Sequence, residues 1–178
     1  MLRPNAEWYW FFDEEQGKLC TDMGDMVFVS PYSKRHIVFT DAKVMLSIDD
    51  LNLYTHFYNA LEDALALPEP LCVQMALNAL ALKKFNKPSG PKSWFFEVDG
   101  GVPPGDLDHI VCLQSIEQQG IFLIVDKWQE TSVVMLLSET MQLNGGKKIK
   151  QFESLNVLND RLSLFLLPEV QQENYKIS

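Results

Sequence analysis

Aromatic residues dominate the first strand that the hydrophobic pattern predicts, Trp8-Tyr9-Trp10-Phe11-Phe12, and the run stops at Asp13-Glu14-Glu15. A strand turns successive side chains to opposite faces, so this one is apolar on both. Either both faces are covered, or one offers rings to a partner. Asp13 to Gly17 reads as a turn, followed by strands over 18–23 and 26–29 with Gly24-Asp25 as the bend. Residues 34–39 suit a further strand. From Ser47 the period changes. Ser47-Ile48-Asp49-Asp50 has the form of a capping box, and Tyr54, Phe57, Tyr58, Leu61 and Leu65 recur at helical spacing until Pro68. Pro68 and Pro70 suit the first turn of a second helix, which runs through 71–85 with almost no polar stripe and so predicts burial on most sides. Lys83, Lys84 and Lys87 complement its negative end. A second aromatic block, Trp94-Phe95-Phe96, reads as a strand.

The Gly/Pro-rich stretch Asp99 to Asp106 predicts a division between residues 1–98 and 99–178. Beyond it, runs at 110–116, 121–128 and 132–143 read as strands, with Asn144-Gly145-Gly146 as a hairpin turn. Leu155, Leu158 and Leu162 suggest a short helix over 153–161, and 163–167 a closing strand. The fold class expected is α+β (mixed α/β): an N-terminal α/β part with two main helices, then a twisted, antiparallel, β-barrel-like part.

Composition adds constraints on partners. The 178 residues carry a net charge of -9, which disfavours nucleic acid and anionic membrane surfaces. Two basic windows stand out against it, Lys83-Lys84-Lys87-Lys92 and Lys147-Lys148-Lys150. Three widely spaced cysteines make no disulfide framework and suit a reducing compartment. The first residues lack the apolar core of a secretory signal, so the expectation is a cytoplasmic protein.

Candidate chemistry is sparse. His36 reads as a surface residue and His56 as lying on the solvated side of the first helix. His109, after Asp106 and Asp108, lacks recognised metal-ligand spacing, and Cys72 suits a small core residue better than a nucleophile. Asn144 to Lys148 lacks the spacing of a phosphate loop. No enzyme signature and no cofactor site emerge.

Several motifs stand in order along the chain: Trp8-x-Trp10 before Asp13-Glu14-Glu15; Leu77-Asn78-Ala79-Leu80; Lys87-Pro88 leading to Pro91-Lys92-Ser93-Trp94-x-Phe96; Pro104-Gly105-Asp106; and Asn159-Asp160-Arg161-Leu162. This ordered set resembles the ZapC family of bacterial cell-division proteins, which associate with the tubulin-like GTPase FtsZ. The resemblance implies a cytoplasmic, non-enzymatic protein at the mid-cell division ring. Such a protein binds the globular core of FtsZ and stabilises and bundles its polymers, with no nucleic acid and no membrane insertion; the oligomeric state stays open, a monomer being favoured. It implies partner-binding roles for Lys87, Lys92, Trp94 and Arg161. Three of them have a plainer role beside it: helix-end electrostatics for Lys87, core filling for Trp94, and an internal salt bridge to Asp160 or a neighbour for Arg161. Bundling needs a second face, and the aromatic block with Trp8 and Trp10, together with the first helix, is the candidate. The competing readings are an enzyme using Cys72 or Asp106, Asp108 and His109, and a regulator binding a small ligand or peptide in an aromatic pocket.

Overall fold

The computed structural model describes residues 2–99 and 109–165. Strands β1 (Tyr9–Asp13), β2 (Lys18–Asp22), β3 (Val27–Val29) and β4 (Val44–Met45) form an antiparallel sheet in the order β3-β2-β1-β4. The turn after β1 is built by Asp13, whose carboxylate accepts from the Glu15 and Gln16 amides and from the Gln16 side chain. These bonds, those of Gln16 foremost, hold its pKa below the usual carboxylate value. Residues 34–39 do not form the expected strand. They contribute one isolated bridge, Ile37 to Asn86, after a turn closed by the Ile37 and His36 amides on the Ser33 carbonyl.

Helix α1 spans Ile48–Leu65 and α2 spans Glu69–Phe85. Both halves of the capping box form: the Asp50 amide donates to Ser47 Oγ (3.1 Å) and the Ser47 amide to Asp50 Oδ2 (2.7 Å). Lys84 Nζ lies 2.7 Å from the same Asp50 oxygen, tying the start of α1 to the end of α2. Ser47→Ala is expected to remove about 1 kcal/mol of stability and to lower Tm by about 2–4 °C. A urea midpoint identical to that of the parent would mean the cap does not hold this helix end.

The even apolarity of α2 has a structural cause. Cys72, Met75 and every residue from Ala76 to Leu82 are buried, because the helices lie between the first sheet and a second one. The second sheet uses β5 (Ile110–Gln114), β6 (Gln119–Lys127) and β7 (Thr131–Leu136). The chain then makes a hairpin of β8 (Thr140–Gln142) and β9 (Lys148–Lys150), turning at Asn144–Gly146, and returns as β10 (Ser154–Leu158) and β11 (Ser163–Leu164). The order β10-β7-β6-β5-β11 is antiparallel throughout. This sheet is open at β10 and β11 and does not close into the expected barrel; the α+β class stands.

Its strands are apolar on both faces because both are covered. Ile110, Leu123, Val125, Val133 and Met135 share a core with the helices and first sheet. Val111, Leu113, Phe122, Ile124, Val134 and Leu136 pack with Phe95, Phe96, Met141, Ile149 and Leu162 on the other face. At Gly120 a Cβ would sit 2.5 Å from Met141 Sδ, so glycine is what lets the β8–β9 hairpin close over this face. One core thus includes residues from both sides of the expected 98/99 division, while residues 100–108 lie outside the described residues.

Three local expectations are corrected. Residues 132–143 are two strands, not one. The helix expected over 153–161 is β10 followed by a 3-10 turn at Asn159–Arg161: Leu155 pairs with Val134 and Asn156 with Val133, so sheet pairing overrides the leucine spacing. Trp94 lies in a 3-10 turn, Ser93–Phe95, closed by the Phe96 amide on the Ser93 carbonyl (3.0 Å), not in a strand.

Candidate functional site

The segment before Trp94 runs along the outer edge of β10. Asn156 Nδ2 donates to the Ser89 carbonyl (3.1 Å), the Lys92 amide to the Asn156 carbonyl (2.7 Å), and the Leu158 amide to Ser93 Oγ (2.8 Å). Held in this way, the 3-10 turn sends Phe95 and Phe96 inward and Trp94 outward, where the indole is 63% exposed. Val98, three residues on from Phe95, is exposed as well.

Both basic windows meet at this turn. Lys92 Nζ lies 5.3 Å from the Trp94 ring, the Trp94 and Phe95 centroids are 5.3 Å apart, and Lys147 Nζ lies 5.5 Å from the Phe95 ring. The exposed indole, with Lys92 beside it and Lys147 over the buried Phe95 ring next to it, is a surface on which an apolar group can dock while carboxylates meet the two ammoniums. Exposed cation–π contacts contribute only about 0.5–1 kcal/mol each, so their main effect is to orient the rings and lysines.

Arg161 acts beneath this surface. Its Nε donates to the Ser93 carbonyl (3.2 Å), Nη1 pairs with Asp160, and the side chain is only 16% exposed. Its fork is therefore largely occupied by the protein itself, and its direct effect is to position the Trp94 turn. Neighbouring Asn159 does the same for a second indole. Its Nδ2 reaches the Trp128 and Gln129 carbonyls (3.2 Å each), and its Oδ1 accepts from Ser132 Oγ (2.6 Å). The Asn159–Arg161 turn thus clips both loops that carry exposed tryptophans, Trp94 and Trp128. Trp128 was not among the expected site residues. Its signal was its place at the very end of an apolar run, beside Lys127 and the polar pair Gln129-Glu130, where a core ring is out of place.

Trp8 and Trp10 are core residues, which corrects the partner-facing role expected of them. Trp10 is fully buried, edge-on to Phe85 at 5.1 Å with Lys84 over its ring, and Trp8 stands edge-on to Tyr54. The strand's outward rings are the half-buried Tyr9 and Phe11, 6.0 Å apart. Lys87 combines two roles: its amide donates to the His36 carbonyl (2.9 Å) and its exposed ammonium to the Lys34 carbonyl (2.8 Å). Lys83 and Lys84 are paired with Asp126 and Asp50, so in that window Lys87 and Lys92 are the ones without an ion pair among the described residues. Pro88, next to Lys87, helps line a hollow of about 260 Å³ with Ser89, Trp128, Asp126 and Asn156.

A second surface lies on the opposite sheet. Strand β3 is an edge with Val27 and Val29 exposed, and beside it Met23, Met26, Phe28, Pro70 and Val73 border an apolar hollow of about 560 Å³. The enzyme candidates fare poorly. Cys72 is fully buried, and burial pushes its thiol pKa up, away from a reactive thiolate. Asp106 and Asp108 lie outside the described residues, and no group of three potential metal ligands occurs among the described ones. His36 is half-buried with Nδ1 accepting from the Ser33 amide, and burial lowers its pKa. No helix among the described residues is long and apolar enough to cross a membrane.

Two family models match end to end: "Cell-division protein ZapC, N-terminal" over residues 1–87 and "Cell-division protein ZapC, C-terminal" over residues 88–166. The chain belongs to the ZapC family. Relatives named Cell division protein ZapC include that of Aliivibrio salmonicida, 36% identical over 168 residues and 92% of both chains. That of Pseudoalteromonas translucida is 36% identical over 165 residues, 91% of this chain and 93% of its own. The protein of Ferrimonas balearica is 32% identical over 91% of this chain and 92% of its own. A role in cell division follows from membership of ZapC. Lys92, Trp94, Trp128, Lys147 and Arg161 all fall in the part matched by the C-terminal ZapC model, whereas the β3 hollow falls in the N-terminal part.

Proposed function

We propose that this chain binds the globular core of FtsZ through the surface formed by Lys92, Trp94 and Lys147, and stabilises and bundles FtsZ polymers at the mid-cell ring in the cytoplasm. The observation that carries the reading is the exposed Trp94 indole beside Lys92, with Lys147 over the adjoining Phe95 ring, on an acidic protein. Tryptophan is among the residues that most often carry the binding energy of protein contacts. Local positive charge also offsets repulsion between two acidic partners at close range. Lys87 extends the patch electrostatically, and Arg161 holds its shape. The action is binding, not catalysis, and needs neither cofactor nor nucleic acid.

Bundling by a monomer requires a second contact, and the β3 edge with its apolar hollow replaces the Trp8/Trp10 surface in that role. The test is co-sedimentation of the purified chain with FtsZ and GTP. Lys92→Glu is expected to weaken pelleting about tenfold and to flatten its salt dependence. Val27→Lys is expected to leave pelleting intact while the bundles thin. Unchanged pelleting of Lys92→Glu across salt concentrations would remove Lys92 from the contact. Thermal stabilisation by a short apolar peptide in the absence of polymer would instead favour the peptide-binding regulator.

A further inference from the structure

His56, in the middle of α1, and His109, just before β5, bring their Nε2 atoms to 2.6 Å, with rings crossing at 89° and centroids 4.4 Å apart. The His109 ring is held on the core side. His109 stands edge-on to buried Phe57, and its carbonyl accepts from the Ile124 amide of β6 at 2.7 Å. His56 is carried by a helix packed on two neighbours. Two Nε2 atoms at this separation share room for one proton at most, so at least one imidazole is neutral and presents a lone pair toward the other. Without a proton between them, both nitrogens can offer a lone pair to one cation at the exposed side of the pair.

We propose that His56 and His109 form a two-imidazole site for a late first-row divalent cation, Ni²⁺ or Cu²⁺ in preference to Zn²⁺. Imidazole nitrogen is the donor these ions favour, and carboxylate-preferring Mg²⁺ and Ca²⁺ are poorly matched to it. The bite decides between the candidates. With metal–nitrogen distances of about 2.0–2.1 Å, a right-angle pair of ligands needs nitrogens about 2.9 Å apart, and a tetrahedral pair about 3.3 Å. From the observed 2.6 Å the first needs the rings to open by about 0.3 Å and the second by about 0.7 Å, so the right-angle pair is the better match. Square-planar or octahedral ions accept ligands at right angles; tetrahedral zinc does not. The remaining coordination positions face solvent and take water. A bound ion would link α1, in the segment matched by the N-terminal family model, to β5 in the other.

The test uses the untagged full-length chain titrated with Ni²⁺ by calorimetry at neutral pH. One ion per chain is expected, with His56→Ala and His109→Ala each weakening binding at least about tenfold and His36→Ala leaving it unchanged. His56 is exposed, so its truncation leaves the fold standing. At roughly ten times the dissociation constant, Ni²⁺ is expected to raise the parent Tm by about 3–6 °C and that of His56→Ala not at all. Cu²⁺ should show coupling to two imidazole nitrogens in its electron paramagnetic resonance spectrum, and to one in either variant. No stoichiometric binding, or binding that survives both substitutions, overturns the site; so does equal loss in His36→Ala.

Discussion

Trp10→Ala is expected to cost about 3–5 kcal/mol of folding stability and to lower Tm by about 10 °C or more. The indole is 0% exposed, stands edge-on to Phe85, and lies beneath the Lys84 ammonium that also caps α1 through Asp50. Removing it empties the junction between β1 and the end of α2 and strands that lysine over a cavity. Domains of this size are stable by only about 5–15 kcal/mol, so much of the margin disappears. Trp10→Phe should cost far less, because Nε1 has no hydrogen-bond partner among the described residues and a phenyl ring restores most of the packing. Urea unfolding of the two variants checks this. Equal midpoints for Trp10→Ala and the parent would show that the ring is not part of the core. With the midpoint lowered as expected, any loss of FtsZ pelleting by Trp10→Ala should track its unfolding.

Trp94→Ala should behave in the opposite way. The ring is largely exposed, and neighbouring Phe95 and Phe96 fill the core beneath it, so stability should change by no more than about 0.5 kcal/mol. FtsZ affinity should fall about 30-fold, the equivalent of about 2 kcal/mol for truncating a central aromatic contact. Trp94→Phe should recover part of it, since a smaller ring still offers Lys92 and Lys147 an apolar centre. Titration of labelled chain onto FtsZ polymers measures the ratio, and a Trp94→Ala affinity within about threefold of the parent would contradict it.

The two tryptophan pairs show what the linear pattern could and could not reveal. Helix α1 was legible because Ser47 and Asp50 fix its start and Pro68 forbids its continuation, all within local sequence. The burial of α2 was legible from its missing polar stripe. Trp8 and Trp10 were ambiguous because a strand with rings on both faces does not say which face is covered; the answer came from Tyr54 and Phe85, residues far along the chain. Trp94 was placed in a strand because three aromatics in a row look extended. The turn that exposes it depends on Ser93 Oγ reaching Leu158 and Arg161 reaching the Ser93 carbonyl across more than sixty positions. The leucine spacing around 155–162 imitated a helix because the pairing partner, β7, is not adjacent in sequence. The meeting of Lys147 with the Trp94 turn, and of His56 with His109, was invisible for the same reason.

Backbone amide hydrogen exchange on the full chain, with and without assembled FtsZ, tests the central contact most directly. Slowed exchange over residues 89–98, with a smaller effect around 127–131 and 145–148, is the result expected if the Trp94 turn is what FtsZ covers. Unchanged exchange there, with protection confined to other parts of the chain, would contradict it.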